Sequence, residues 1–337
     1  MLKLILPFLL LVQFAFSQTT IKFATLAPEG TTWMKVMRQL SQAVYDSTHG
    51  AVKFKIYPGG VQGDEKDVLR KMRINQLHSA GFTGVGLGEI LPEVRVLDAP
   101  FLFKNHREVD FITNRFFDRF AQNFERKGFV LLGWTEVGFV YIYTNVPVRN
   151  ISDFKGVKMW TWEGDPLAQA TFKAFGINPI PLSVTDVLTS LQTGLIDGVY
   201  TSPLACVSLQ WFTRIKYMLD LPLANSNGAV LISKRRFEKL KPEHRQILRR
   251  LSRKYLAQLT RLSRRDNQRS IDVMLKKGVQ KIAIHDPAQL QAYDDIGKKA
   301  RQSLVGRLYD QKLLDEIETA LERFRSQNPS AGSSEKN

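Results

Sequence analysis

The sequence predicts an α/β protein of two lobes, each a mixed, mainly parallel sheet flanked by helices, with one long helix lying across both. Three observations predict it. Alternating strand and helix patterns open the chain, a second run of the same grammar follows from residue 157, and residues 242–275 keep a helical apolar stripe too long for one small lobe. Strands joined through crossover helices lie parallel and need cover on both faces, so two such runs call for two parallel sheets.

The first run reads as strand 20–26 (TIKFATL), helix 30–48, strand 51–58 (AVKFKIYP), helix 64–75 and strand 76–83 (QLHSAGFT). Gly30, Thr31 and Thr32 open its first helix with hydroxyls able to cap it, and Trp33, Val36, Met37, Leu40 and Val44 recur on one face. The glycines of GFTGVGLGE, 81–89, miss the G-x-G-x-x-G spacing and read as a permissive turn. A loop region, 91–109, follows. The run GFVYIYTNVPV, 138–148, reads as the strand that crosses between lobes.

The second run reads as strand 157–162 (VKMWTW), helix 166–175, strand 177–181 (INPIP), helix 183–193 and strand 196–202 (IDGVYTS). Asp165 before Pro166 is an N-cap followed by proline at the first helical position, and Ser183 with Asp186 forms a capping-box variant. The long helix 242–275 would reach about 50 Å at 1.5 Å per residue, enough to lie over both lobes. These elements predict a first lobe of 18–137 with 226–268, a second of 138–225 with 269–325, and a disordered low-complexity tail at 326–337.

Residues 1–17 carry Lys3, a short apolar run and Ala15-Phe16-Ser17, which reads as a secretory signal peptide cleaved near Ser17 and makes the mature chain periplasmic. One cysteine, Cys206, cannot close an internal disulfide and reads as a small buried apolar group. The net charge is +16, with much of the excess in 235–269, where Ile247, Leu251, Tyr255, Leu259 and Leu262 keep helical spacing. The arginines between them read as a solvated face, and no nucleic-acid partner is expected. His49, His78, His106, His244 and His285 show no metal-ligand spacing, and no G-x-S-x-G occurs. The chain is therefore read as no enzyme, without cofactor or metal. Glu65, Glu136, Glu163 and Asp165 could pair as acid and base, although nothing in the sequence sets any separation.

In open α/β sheets ligands bind beyond the carboxyl ends of the strands, where helix N-termini point their free amides. Placed there are Trp33, Glu65, Phe82 and Thr83 from the first lobe and Phe139 and Tyr141 from the crossing strand. The second lobe adds Trp160, Trp162, Glu163, Gln192, Tyr200 and Thr201. Such rings give large contact area with one polar handle each. Alternation along 157–162 leaves open whether both tryptophans face a ligand or one is lobe core.

Five stretches, YPGGVQGDEKDVLRKMR, LDAPFLFKN, DFKGVKMWTWEGDP, FGINPIPLSVTDVLTSLQTGLIDGVYTSP and LISKRRFEKLKPEHR, resemble in order and spacing the extracytoplasmic solute receptors of tripartite ATP-independent periplasmic (TRAP) transporters, the DctP-type proteins. The similarity runs from about Ile21 to Phe324. It implies a type II-like periplasmic solute-binding fold, a small organic ligand, and delivery to TRAP membrane permease subunits. It also implies an arginine that forks a ligand carboxylate after the D-[LF]-K-G segment, where this chain has Trp160, and often a second on the crossing strand, where it has Val140. Indole cannot imitate that planar, charge-assisted fork. The expected ligand is accordingly an apolar monocarboxylate, a neutral amphiphile or a cationic compound, in that order, and Trp160→Ala is expected to cost affinity without unfolding the protein. Two rivals are an exported hydrolase using a carboxylate pair and an interaction protein using its basic helix against anionic lipid or a partner.

Overall fold

The computed structural model describes residues 18–328, so the expected signal peptide and most of the expected tail lie outside the described residues. The first run folds as β1 (Thr19–Ala24), helix Thr32–Ser47, β2 (Val52–Tyr57), helix Glu65–Arg73 and β3 (Ser79–Thr83), with β1 parallel to both β2 and β3. The Thr31 hydroxyl accepts from the Met34 amide, which caps the first helix, and Val36, Met37, Leu40 and Val44 are buried beneath it.

The remaining strands are β4 (Phe129–Thr144), β5 (Trp160–Trp162), β6 (Ile180–Leu182), β7 (Gly198–Thr201), β8 (Tyr217–Leu219), β9 (Ala224–Ser233) and β10 (Gln280–Ile282). They do not form two separate parallel sheets. The long strands β4 and β9 pair antiparallel through both lobes and join one eight-stranded sheet, in the order β10-β8-β4-β9-β3-β1-β2, with β7 also on β4. A separate parallel pair, β5 and β6, touches β7 through the single bridge Met159 to Gly198. Local periodicity reveals crossover units, but it carries no information on which distant strand closes an edge.

At the junction of the lobes β4 shifts register between Glu136 and Gly138. Gly138 has φ +117°, and a side chain there would run into Asn267 of the long helix, so the bend needs glycine. The segment read as a permissive glycine turn is instead helix Gly84–Ile90, capped by the Thr83 hydroxyl, which accepts from the Val85 amide. Glycine is a poor helix former in the open. Here Gly84 lies against Asp98 and Gly86 against Phe82 and Glu65, so close packing replaces propensity.

The long helix runs Pro242–Lys276. Its Leu248, Leu251, Leu256 and Leu259 join the core under β1, while Ile271 and Met274 join the second-lobe core around Val199 and Met218. The stretch expected to stay in the second lobe, 269–325, divides. Helix Pro287–Ser303 places Tyr293 beside Phe175, whereas Leu304, Leu313, Ile317 and Leu321 pack in the first-lobe core with Ile112 and Phe120. Arg325 closes that return by bonding Glu108, and helix Gln311–Gln327 still holds Ser326 and Gln327, where the tail was expected to begin. Cys206 is fully buried, and desolvation pushes its thiol well above the usual range.

Candidate ligand-binding site

Between the lobes lies a cavity of about 280 Å³ with a largely apolar wall. Trp33, Glu65, Phe82 and Thr83 line it from the first lobe, and Trp160, Trp162, Tyr200 and Thr201 from the second. Phe139, Tyr141, Glu163 and Gln192 do not. Phe139 turns into the first-lobe core against His106, 4.8 Å between rings, and Tyr141 fills the space between two cores. Glu163 and Gln192 are exposed. Strand and helix periodicity places a residue on an element but not on its ligand-facing side.

Both tryptophans serve as wall and core together. Trp160 is 2% exposed, its ring stacks on Tyr200 at 5.1 Å and meets Trp211 edge-on at 5.2 Å, and its N–H donates to the Leu182 carbonyl at 3.1 Å. Trp162 donates across the cleft to Asp64 Oδ2 at 2.9 Å. Their polar handles are therefore spent on the protein, and only ring surface faces the cavity.

Asp64 is a joint between lobes. Its Oδ1 caps the helix Glu65–Arg73 at the Glu65 amide, 2.6 Å, while Oδ2 also accepts from the Ser183 hydroxyl of the second lobe at 2.8 Å. A second joint was not foreseen. Arg95, in a 3-10 turn at Pro92–Asp98 read only as loop, is 5% exposed and reaches both Asp98 Oδ2 at 3.3 Å and Asp165 Oδ2 of the second lobe at 3.1 Å. Asp165 also caps the helix Pro166–Ala174. An arginine thus does line the cavity, but the protein supplies its carboxylates. Asn225 on β9 lines it too, fully buried, with neither amide nitrogen nor oxygen hydrogen-bonded. A lone asparagine outside any motif carries no sequence signal.

Two carboxyls and one phenol around this wall feel their burial. Glu65 accepts from the Thr83 amide at 2.7 Å, the Thr83 hydroxyl at 2.9 Å and the Gly86 amide at 2.7 Å. Desolvation still outweighs those donors and pushes its carboxyl up to about 7. Desolvation likewise pushes Asp98 up to about 6 against the pull of Arg95. The phenol of Tyr200 is raised well above its ordinary value by burial, with the Asp165 carboxylate adding to it.

The Glu65 shift has a measurable result. Its folded value, about 7, lies above the ordinary 4.5, so between these two pH values the folded state holds the proton that the unfolded state has released. Stability should therefore fall as pH rises through that window and level off above it, by about 3 kcal/mol for this group. Urea midpoints at pH 5 and pH 8 test this: Glu65→Gln should shrink the difference to the smaller part that Asp98 contributes, and an unchanged slope would remove Glu65 as a source.

Two lobes on a shared sheet, closing over an apolar cavity and tied by cross-cleft bonds, define a solute-binding receptor of the cleft-closing kind. Residues 23–305 match the bacterial extracellular solute-binding protein family 7, DctP, and the chain belongs to this family. It is similar to the 2,3-diketo-L-gulonate-binding periplasmic protein YiaO of Escherichia coli (strain K12), 28% identical over 274 residues, 80% of this chain and 81% of that protein. Among solved structures, a TRAP periplasmic solute-binding protein of Pseudomonas putida F1 with bound D-glucuronate superposes with TM-score 0.80 at 25% identity, over 89% of this chain and 96% of that one. One from Ralstonia eutropha H16 with bound (S)-2-acetolactate superposes with TM-score 0.84 at 22% identity, over 90% and 99%.

Proposed function

We propose that this receptor captures a small organic ligand whose body is apolar and which carries at most one carboxylate, and that it hands the ligand to a TRAP membrane permease. An apolar monocarboxylate comes first, a neutral amphiphile second, a cationic compound third. The observation that carries this reading is charge accounting at the wall. Among the described residues, Arg95 is the one lysine or arginine that lines the cavity, and Asp98 and Asp165 already hold it. Glu65 lines the same wall, and Glu136 there is already held by Arg264, so an added dicarboxylate would be desolvated beside Glu65 without a free cation among the described lining residues.

The rings of Trp160, Trp162 and Phe82 offer dispersion and burial to an apolar body, and the amide of Asn225 offers a donor and an acceptor to a polar end. Closure is a population shift, since contacts from both lobes exist together only when the cleft is shut. Calorimetry with succinate, malate, glucuronate, phenylacetate and octanoate tests the reading. Micromolar binding is expected for one of the last two; micromolar binding of a dicarboxylate or uronate with none for the apolar acids would refute it.

The hydrolase reading has one observation in its favour: Glu65 and Asp98, both pushed up, line one cavity. Against it, Glu65 accepts three protein donors, and Asp98 is held by Arg95 and the Asn227 amide. Neither carboxyl is left free to move a proton to a substrate.

A further inference from the structure

The solvent side of the helix Pro242–Lys276 carries Arg250, Lys254, Arg261, Arg265 and Arg269, all exposed, at spacings that keep them on one face. From first to last the strip spans about 29 Å at 1.5 Å per residue. Arg265 and Arg269 share a single carboxylate, Asp266, at 3.5 and 3.8 Å. Among the described residues, no carboxylate comes within ion-pairing distance of Arg250, Lys254 or Arg261, and the strip's inner neighbour Arg264 takes Glu136 and Asp110. Like charges stacked at four-residue spacing cost helix stability. A merely solvated face would gain from alternating signs; from 250 to 269 this one carries no exposed carboxylate, with Glu243 and Asp272 standing only beyond its two ends.

The opposite face of the same helix closes the ligand cavity. Ser263 lines it, and Asn267 bonds the Leu204 amide and the Val137 carbonyl. A partner seated on the strip therefore leaves the cleft free. Between residues 250 and 269 the strip is straight, its charged side chains are all basic, and it presents no ring and no aliphatic side chain larger than Ala257. That suits a flat, dense anionic surface more than a shaped protein pocket, whose binding would centre on buried anchors. At the far end of the helix Leu275, 39% exposed, stands on the strip's side beside Lys276, an apolar and a cationic side chain of the kind that settles into a lipid interface. No helix among the described residues is long and apolar enough to cross a membrane, so such contact would be peripheral.

We propose that this strip docks the receptor on the surface of a bilayer rich in anionic phospholipid. Each basic side chain near such a surface contributes on the order of 1 kcal/mol, and the attraction fades within a Debye length. The test is co-sedimentation of the mature protein with vesicles of phosphatidylglycerol and phosphatidylcholine in equal parts, against phosphatidylcholine alone, at low and high salt. Binding only to the anionic vesicles, weakened by salt, is expected. The exposed-site variant Arg250→Gln/Lys254→Gln/Arg261→Gln should bind about a hundredfold more weakly with an unchanged circular dichroism spectrum and a melting midpoint at or slightly above the parent's. Equal binding to neutral vesicles, a triple variant that binds as the parent does, or binding to polyglutamate with none to vesicles would overturn the proposal. Ligand calorimetry on the same variant should be unaltered, which separates this result from the fate of the ligand reading.

Discussion

Arg95→Met is expected to lower the stability of the folded protein by about 3–5 kcal/mol, the cost of removing one partner from a buried ion pair. The guanidinium sits between Asp98 and Asp165, and all three side chains are under a tenth exposed. Methionine fills most of the volume but leaves two carboxylates facing each other in low dielectric. One must then take a proton or the cavity must admit water. Because Arg95 belongs to the first lobe and Asp165 to the second, the loss falls on closure as well as on folding. Guanidinium denaturation read by tryptophan fluorescence measures it. Adding Asp98→Asn to the methionine variant should recover part of the loss, since one uncompensated charge disappears; a midpoint equal to the parent's would mean that water already solvates the trio.

Trp160→Ala should cost a similar amount, about 3–5 kcal/mol, as expected for a large core ring cut to a methyl. The indole touches Trp162, Tyr200 and Trp211 and bonds Leu182, so truncation opens a void that four neighbours cannot fill. Affinity for an apolar ligand should fall with it, because the same ring is cavity wall. The sequence alone suggested an affinity loss in an intact fold; the packing replaces that with a loss of both. Trp160→Phe should keep most of the packing and lose the Leu182 bond, at about 1 kcal/mol. Thermal melting with calorimetry on the three proteins decides the matter. A Trp160→Ala protein that melts with the parent would place the ring outside the core.

Much of the cavity wall was legible where chemistry is local. Asp165 before Pro166 read as a helix start and is one, and Trp33, Glu65, Phe82, Thr83, Trp160, Trp162, Tyr200 and Thr201 sit on the elements and at the strand ends where they were expected. Phe139 and Tyr141 were misplaced because a bulged strand breaks simple alternation, and the register shift at Gly138 cannot be counted from composition. Glu163 and Gln192 were misplaced by the other half of the same ambiguity: an element's end is legible, the direction of its side chain is not. Arg95 escaped altogether, since its turn carries no periodic signal and its partners lie 3 and 70 residues away.

The sequence by itself determined two α/β runs, a helix long enough to lie across both, an aromatic lining at the strand ends, and the lack of an arginine at position 160. Those features follow from hydrophobic period, capping chemistry and residue type, which are short-range properties of the chain. Only the tertiary structure decided that β4 and β9 fuse the lobes into one sheet, that the chain returns to the first lobe after Leu304, and that Arg95 enters the cavity already neutralised. Those outcomes depend on which distant groups share a desolvated volume, and a buried charge is settled by whichever partner the fold brings within reach.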